Sequence, residues 1–493
     1  MEDLPILTIK SFRGGVSPDK NKGPKGSFKF GQGIDIHGEG DTLKCNQALK
    51  KDSGSVVTDL PLVIISASDG NKYAFGDTGK IYRKKSGAWT LVYTDAGGKI
   101  TGATEFTTTT GKFILYATAT KLRKISLTNA GGTWTGNVSD AGTFLGGSSS
   151  YYHTMRAACG LLMIADGPYL ALYDYDDAFN NQGLTLAPGL LAKAMLDRST
   201  ETSDRVIIGT DGDNISGGGW FTTWDGLEDT WLTKKPAQGS VVNGMGFLEG
   251  GVVAQVGLDG TLKYWNFGNT TPLRRIPGVQ TCYPGGVTEY RTLTHFGMNG
   301  GDKNGVYSVG RTDKNDPIAI NLEYVPSHGK LTGTEIGGIC GDGADLYVGW
   351  KDGTTYGIDI TDSANKAKAI YESLEMDMGK PQAEKFVHHI KITSAPLPED
   401  SEIRVKYRTT RTIQETAADS EDTTEGWRIA YLESEDGEGE ENMTEGMVKG
   451  VFTIEGQGEM YEVHVEADPK TNDGNEAPEI YSINNFFDFD NVE

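Results

Sequence analysis

The chain has 493 residues, with 68 acidic against 46 basic side chains and a formal net charge of −22. Glycine is present at about twice its usual share of roughly 7%, and the apolar fraction is only 37%. That composition suits many short strands joined by glycine-rich turns and excludes a scaffold of long amphipathic helices. No apolar run approaches the roughly 18 residues of a membrane helix, and the acidic excess, which lies in residues 372–493, argues against a nucleic-acid grip by that region.

The first residues, "MEDLPILTIKSF", place acids before the apolar run and lack a basic leading region, so no secretory signal is expected. Residues 1–55 then read as a leader. Its stretch "SFRGGVSPDKNKGPKGSFKF" sets Arg13, Lys20, Lys22, Lys25 and Lys29 against Asp19, with Gly and Pro throughout. This predicts an extended basic arm that packs poorly on itself, either a solvated linker or an arm that crosses onto a neighbouring subunit. The following "GQGIDIHGEGDTLKCNQALKKDSG" reads as one or two strands, one of them available to close a ring of sheets.

Residues 56–375 repeat one motif: an apolar run of alternating period, a tight Gly- or Asp-containing turn, and a second alternating run. "NKYAFGDTGKIYRKK", "GKFILYATATKLRKISL", "CGLLMIADGPYLALYDY", "DRVIIGTDGDNISGGGWFTTW", "GGVVAQVGLDGTLKYWNF", "NGVYSVGRTDKNDPIAINL" and "GADLYVGWKDGTTYGIDI" are β-hairpins on this reading. Their first arms centre on Tyr73, Leu115, Met163, Ile207, Val253, Tyr307 and Tyr347. A repeat of roughly 40–50 residues is that of a four-stranded propeller blade. The expected fold is therefore all-β, a propeller of about seven blades, with six or eight also compatible with the loose spacing between Val253 and Tyr307. "LAPGLLAKAMLDRS" (186–199) and "TDSANKAKAIYESL" (361–374) come nearest to helical periodicity.

Residues 376–493 read as a second domain, a β-sandwich or jelly roll, from six alternating runs beginning with "AEKFVHHIKITS" and ending with "PEIYSINNFFDF". Residues 372–493 hold 30 acids and 10 bases, against 38 and 36 in the remainder. The acidic turn around Glu433, Glu435, Asp436, Glu438, Glu440 and Glu441 is a candidate partner for the basic leader of a neighbour, or an electrostatic surface that repels passing DNA.

Chemistry is sparsely signalled. No P-loop, Gly-x-Ser-x-Gly or His-Glu-x-x-His occurs, and sialidase-type Asp-box, WD and kelch signatures are absent. Asp211 and Asp213 alternate as in calcium loops, but the downstream Glu of an EF-hand is missing, which makes them weak calcium candidates. The cysteines, Cys45, Cys159, Cys282 and Cys340, are widely spaced and read as small core residues. No cofactor or catalytic residue is assigned. Trp220 and Trp224, with Trp231 and Trp265 close by in sequence, are candidate glycan contacts, with blade-core packing as the alternative.

The order of parts, "SFRGGVSP" into "GQGIDIHGEGDTLKCNQALKKDSG", then repeated hairpins, then "YRTT", "GWRIAYL" and "APEIYSINNFFDF", resembles the structural tail proteins of tailed bacteriophages. The likeness is to nozzle-, tube- and hub-type proteins that carry a β-propeller beside β-sandwich modules. It implies a non-enzymatic virion component, made in the host cytoplasm. Such a protein would assemble as a homo-oligomeric ring with other tail proteins around the DNA exit channel, without membrane insertion or sequence-specific nucleic-acid binding, and with transient passage of viral DNA. One departure is the lack of a clear separate tube domain. The alternatives are a glycan-binding propeller used in host attachment and a glycan-active enzyme.

Overall fold

The computed structural model describes residues 4–38, 40–200, 203–212, 217–311, 313–415, 426–433, 439–470 and 476–489. It divides into two compact units, each built from separated stretches of chain. One comprises Lys50–Val306 and Pro326–Thr361, and the other Met1–Leu49, Tyr307–Val325 and Asp362–Glu493.

In the first unit, six of the seven hairpins are the second and third strands of successive antiparallel sheets. Leu161–Asp166 and Tyr169–Tyr173, for example, lie between Met155–Ala158 and Phe179–Thr185. The sixth hairpin, Gly305–Gly310 with Ala319–Tyr324, supplies the third and fourth strands, after Thr281–Tyr290 and Leu293–Asn299. Each sheet is led by an inner strand: Pro61–Ser66, Gly102–Thr108, Met155–Ala158, Leu190–Thr200, Val242–Leu248, Thr281–Tyr290 and Thr334–Asp342. These seven touch in chain order, and the last also touches the first, so the circle is closed. The turn in the hairpin Asp345–Asp352/Thr355–Lys366 sits where Asp-Gly requires it, with Asp352 opposite Thr355 and Gly353 at φ +57°.

The sheets are held face to face by apolar clusters between neighbours. Tyr73, Phe75, Tyr116 and Trp134 fill the space between the first and second sheets. Phe221 stacks on Trp265, rings 5.2 Å apart and 9° from parallel, between the fourth and fifth. Closure draws on Ile64, Tyr82 and Trp89 from the first sheet and Tyr347 and Ile358 from the last. There Asp52 accepts from Trp89 Nε1 at 2.5 Å and pairs with Lys84 at 2.8 Å. The last sheet takes its fourth strand, Gln47–Lys51, from the N-terminal side of the chain. The Asp52 and Ser53 amides then both donate to the Ile358 carbonyl.

In the second unit, one run of strands is ordered Ala319–Tyr324, Phe30–Gln32, Ala369–Glu372, Tyr461–Asp468, Glu402–Thr409 and Arg428–Ile429. A second sheet runs Ile6–Ile9, Glu479–Phe489, Lys385–Ser394, Lys449–Gly458 and Tyr431–Leu432. Alternate residues of both, such as Ile390 and Ile392 or Val405 and Val463, join one buried cluster.

Three expectations change. The leader is not a poorly packed arm: Phe12 and Phe28 are fully buried and meet Tyr371 edge-on at 5.2 and 5.7 Å. Glycines let its backbone run close, since a Cβ on Gly14 would stand 2.3 Å from the Ser27 nitrogen. The expected division at residues 55 and 375 gives way to units assembled from separated segments, 307–325 among them, because strands pair across the sequence. Finally, both helix-like stretches are strands, Leu190–Thr200 and Thr355–Lys366 with Ala369–Glu372. An inner strand covered on both faces needs small apolar residues without strict alternation, which is what Leu190, Ala192, Ala194 and Met195 supply. The only described helices are the short Leu127–Ala130 and Thr410–Glu415, and none is long and apolar enough to cross a membrane.

Candidate functional site

Register shifts interrupt the ladders of five of the seven inner strands, the first at Pro61/Val63, the last at Ile336/Ile339, and three consecutive ones between them. Those three fall between Ala192 and Ala194, between Val242 and Gly244, and between Cys282 and Val287. A bulge leaves a residue outside the ladder and re-aims its side chain. The residues so released include Lys193, Asn243 and Tyr283, and all three line one cavity of about 430 Å³. Tyr152, which precedes the third inner strand, and Glu335, in the last, complete its polar wall, and Leu258 stands exposed beside them.

Two cations converge on one ring. Lys99 Nζ lies 4.6 Å and Lys193 Nζ 5.3 Å from the centroid of Tyr152, within cation–π range. The Tyr283 ring is 6.3 Å from that of Tyr152, and its hydroxyl donates to Glu335 Oε1. Lys351 pairs with Glu335 Oε2 at 3.5 Å. Lys193 Nζ donates to Asn243 Oδ1 at 2.7 Å, and Asn243 Nδ2 donates to Gln255 Oε1 and the Gly257 carbonyl at 2.6 and 2.8 Å. That bonding fixes the amide with its oxygen toward the lysine. Among the described residues, neither Lys99 nor Lys193 has a carboxylate within 4 Å.

The electrostatics follow from burial. Both lysines are held below the ordinary lysine value by desolvation, with Asp77 and Glu335 opposing the effect at Lys99, and Asp211 and Cys282 opposing it at Lys193. Burial, with Glu335 adding to it, pushes Tyr152 up to about 12, and Tyr283 rises for the same reasons. Burial also raises Asp77, with the nearby Asp59 carboxylate as the next cause. The Cys282 thiol, pushed up to about 12 by burial, is no nucleophile.

The residues singled out from sequence are dispersed. Arg13 is held within its own unit, donating to the Gly38 and Gly40 carbonyls and to Asp316. Lys29 pairs with buried Glu462 at 2.7 Å, and Lys20 with Glu375 at 3.4 Å. Lys22 and Lys25 are exposed. Glu433 pairs with His389 at 3.0 Å, Glu441 meets Arg404, and Glu440 is exposed. Glu435, Asp436 and Glu438 lie outside the described residues, as does Asp213. Asp211 sits opposite Leu191 in a strand ladder, and no group of three metal-ligating side chains occurs among the described residues. Trp224 is a core residue, 1% exposed, with its Nε1 bonded to the Glu228 carbonyl, and so is not a glycan contact. Trp220 is half-buried, with Lys234 Nζ 4.1 Å from its ring centroid. Cys159 and Cys340 are half-buried rather than core, and all four thiols are free.

A closed circle of multi-stranded antiparallel sheets, entered one after another along the chain, defines the ring unit as a β-propeller. No family profile and no curated protein matches the chain. Solved structures similar to it include the extracellular domain of a one-component system from B. thetaiotaomicron, at 12% identity, covering 71% of this chain and 44% of that one with a TM-score of 0.46. Others are U3-55K, at 12% identity, 64% and 98% coverage and a TM-score of 0.46, and the WD40 propeller domain of Doa1, at 11%, 64% and 97%, and 0.45. The chain thus spans under half the length of the first. At these scores the propeller assignment stands on the strand order itself.

Proposed function

We propose that this protein is a non-enzymatic structural component of a bacteriophage tail, of nozzle, hub or tube-associated type, that assembles as a ring with copies of itself and with other tail proteins. On this reading the ring unit is a seven-bladed propeller, one blade for each inner strand. The other unit is a β-sandwich whose two sheets share the cluster of Val405, Val463, Ile390 and Ile392. The observation that carries the reading is the path of the chain. The leader is woven into the same unit as the closing 130 or so residues, and it also supplies the propeller's closing strand. Such a layout ties both ends of the chain into one unit, and the order of parts resembles that expected of the phage tail proteins. The acidic excess of residues 372–493 would repel passing DNA without binding it.

Light scattering on the purified chain at low and high salt tests the proposal. A ring of defined mass, or a monomer that enters rings with other tail proteins, is the expected result. A monomer that associates with no tail component, but shifts on adding host polysaccharide, would move the assignment to the glycan-binding class. The half-buried pair Trp220 and Trp231, both within reach of Lys234, would then be the surface to mutate.

A further inference from the structure

We propose that the cavity lined by Tyr152, Lys193 and Asn243 binds a small organic anion, with its carboxylate or phosphate held by Lys193 and with Lys99, beside the Tyr152 ring, adding positive charge. The inference goes beyond the tail reading and does not depend on it. Three features of the site point to a ligand. Three successive inner strands leave their ladders, and side chains set free there line a shared cavity of about 430 Å³. That is within the roughly 300–1,000 Å³ of small-molecule sites.

The second feature is the charge balance. Three carboxylates act on the lysines without an ion-pair contact: Asp211 on Lys193, and on Lys99 both Glu335, which receives the Tyr283 hydroxyl and Lys351, and Asp77, which accepts from the Leu60 amide. Each ammonium group lies within cation–π range of the Tyr152 ring, and Lys193 also meets one amide oxygen. Partly desolvated cations without a direct ion-pair partner gain from an anion that enters the same space. The lowered lysine values reflect the same unmet demand.

The third feature is positioning. Asn243 is 1% exposed, and its amide is locked by Gln255 and Gly257, so it acts as a positioning residue that aims Lys193. Leu258, 63% exposed at the cavity, and the Tyr152 and Tyr283 rings offer apolar surface to the uncharged part of the ligand. A simple inorganic ion would use the lysines alone, whereas a sugar acid would use the rings as well.

Isothermal titration calorimetry on the full chain at low ionic strength, with inorganic phosphate, glucuronate and glucose as probes, tests the site. Saturable binding of at least one anion is expected, with glucose silent. Lys99→Gln and Lys193→Gln should each weaken it about tenfold or more. Asn243→Ala should weaken it less, because it leaves both charges in place. Tighter binding of glucuronate than of phosphate identifies a carboxylate sugar as the ligand class, and equal binding identifies a general anion site. The wild-type protein should gain thermal stability with the anion, and the double lysine variant should not. No heat with either anion up to about 10 mM, where affinity falls to a few kcal/mol, overturns the proposal. So does binding that the double variant retains.

Discussion

If the leader is part of the terminal unit's core, then Phe28→Ala must destabilise that unit severely. Phe28 is fully buried, its ring meets Tyr371 edge-on, and its Cε2 would stand 2.4 Å from a Cβ on Gly31. The space it fills is bounded by paired backbone on two sides: Ser27–Phe28 against Gly15–Val16, and Phe30–Gln32 against Ala369–Glu372. Such walls cannot collapse far, so the loss should approach the upper part of the range of about 3–5 kcal/mol for removing a buried ring. The edge-on contact is already contained in that figure. With a urea slope of about 3 kcal/mol/M, the midpoint falls by about 1–1.7 M. The assay needs a probe confined to this unit, and Trp427 is one. It is the only tryptophan outside Lys50–Val306 and Pro326–Thr361, it is 6% exposed, and the Arg408 guanidinium lies 4.4 Å over its ring. Protein labelled with 5-fluorotryptophan, with the Trp427 resonance assigned from Trp427→Phe, should lose the native signal at that lower urea concentration. A midpoint within about 0.3 M of wild type, equivalent to under about 1 kcal/mol, would show that the leader is peripheral and refute the argument.

Other perturbations test other parts of the structure. Gly337→Ala would place a Cβ 1.9 Å from the Pro61 carbonyl oxygen, where the last inner strand meets the first; backbone cannot yield cheaply there, so thermal unfolding should show a loss of about 1–3 kcal/mol or more, and an unchanged melting temperature would disprove close contact at the seam. In the terminal unit, hydrogen bonds to Glu372 and Glu466 raise His464 against the effect of burial, and Glu466 is held far below its ordinary value by His464 and Lys368, also against burial. Stability from His464 is complete below about pH 6.5 and is lost as pH rises through its raised value, whereas that from Glu466 is present above about pH 4.5 and is lost as pH falls. The Trp427 transition should therefore need most urea between about pH 5 and 6.5, and His464→Gln should flatten the alkaline side; an alkaline limb that persists in the variant would reject the assignment. Leu227, 80% exposed on the ring unit, should tolerate Leu227→Asp within about 0.5 kcal/mol of stability; a change in the scattering mass of the assembly would locate a contact there, and an unchanged mass would exclude it from the interface.

The seven hairpins are legible because their information is local: a period of two, a turn residue and a repeat length suffice to find the second and third strands of every sheet but the sixth, where they find the third and fourth and miss Leu293–Asn299. The inner strands are less visible. Gly285-Gly286 and Gly337-Gly338 interrupt their alternation, and those glycines are required because the backbones approach too closely for a Cβ; on Gly285 it would lie 2.2 Å from the Leu62 carbonyl oxygen. The leader misleads in the opposite direction. Its Gly, Pro and Lys content signals an unpacked arm, while Phe12, Val16 and Phe28, which decide its fate, are too few to form a periodic pattern. The basic residues chosen as interface candidates include Arg13 and Lys29, whose acidic partners Asp316 and Glu462 are hundreds of residues away. No local rule pairs them.

The cavity residues escaped for a related reason that bears on what the site can do. Tyr152, Lys193, Asn243, Tyr283 and Glu335, with Lys99 beside the Tyr152 ring, come from successive repeats, one residue each, so no window of sequence holds two of them. A propeller whose inner strands kept perfect ladders would present alternating side chains fixed by the pleat. The bulges at Lys193, Asn243 and Tyr283 depart from that default, and bulges are local irregularities that interrupt ladder pairing. Shifts at Pro61/Val63 and Ile336/Ile339 show that interrupted ladders recur along the inner strands. What singles out these three is the one cavity that Lys193, Asn243 and Tyr283 line. A role at that cavity predicts where the cost falls: straightening the ladder by deleting Lys193 should preserve or improve stability while removing anion binding, so the two properties separate in a single variant.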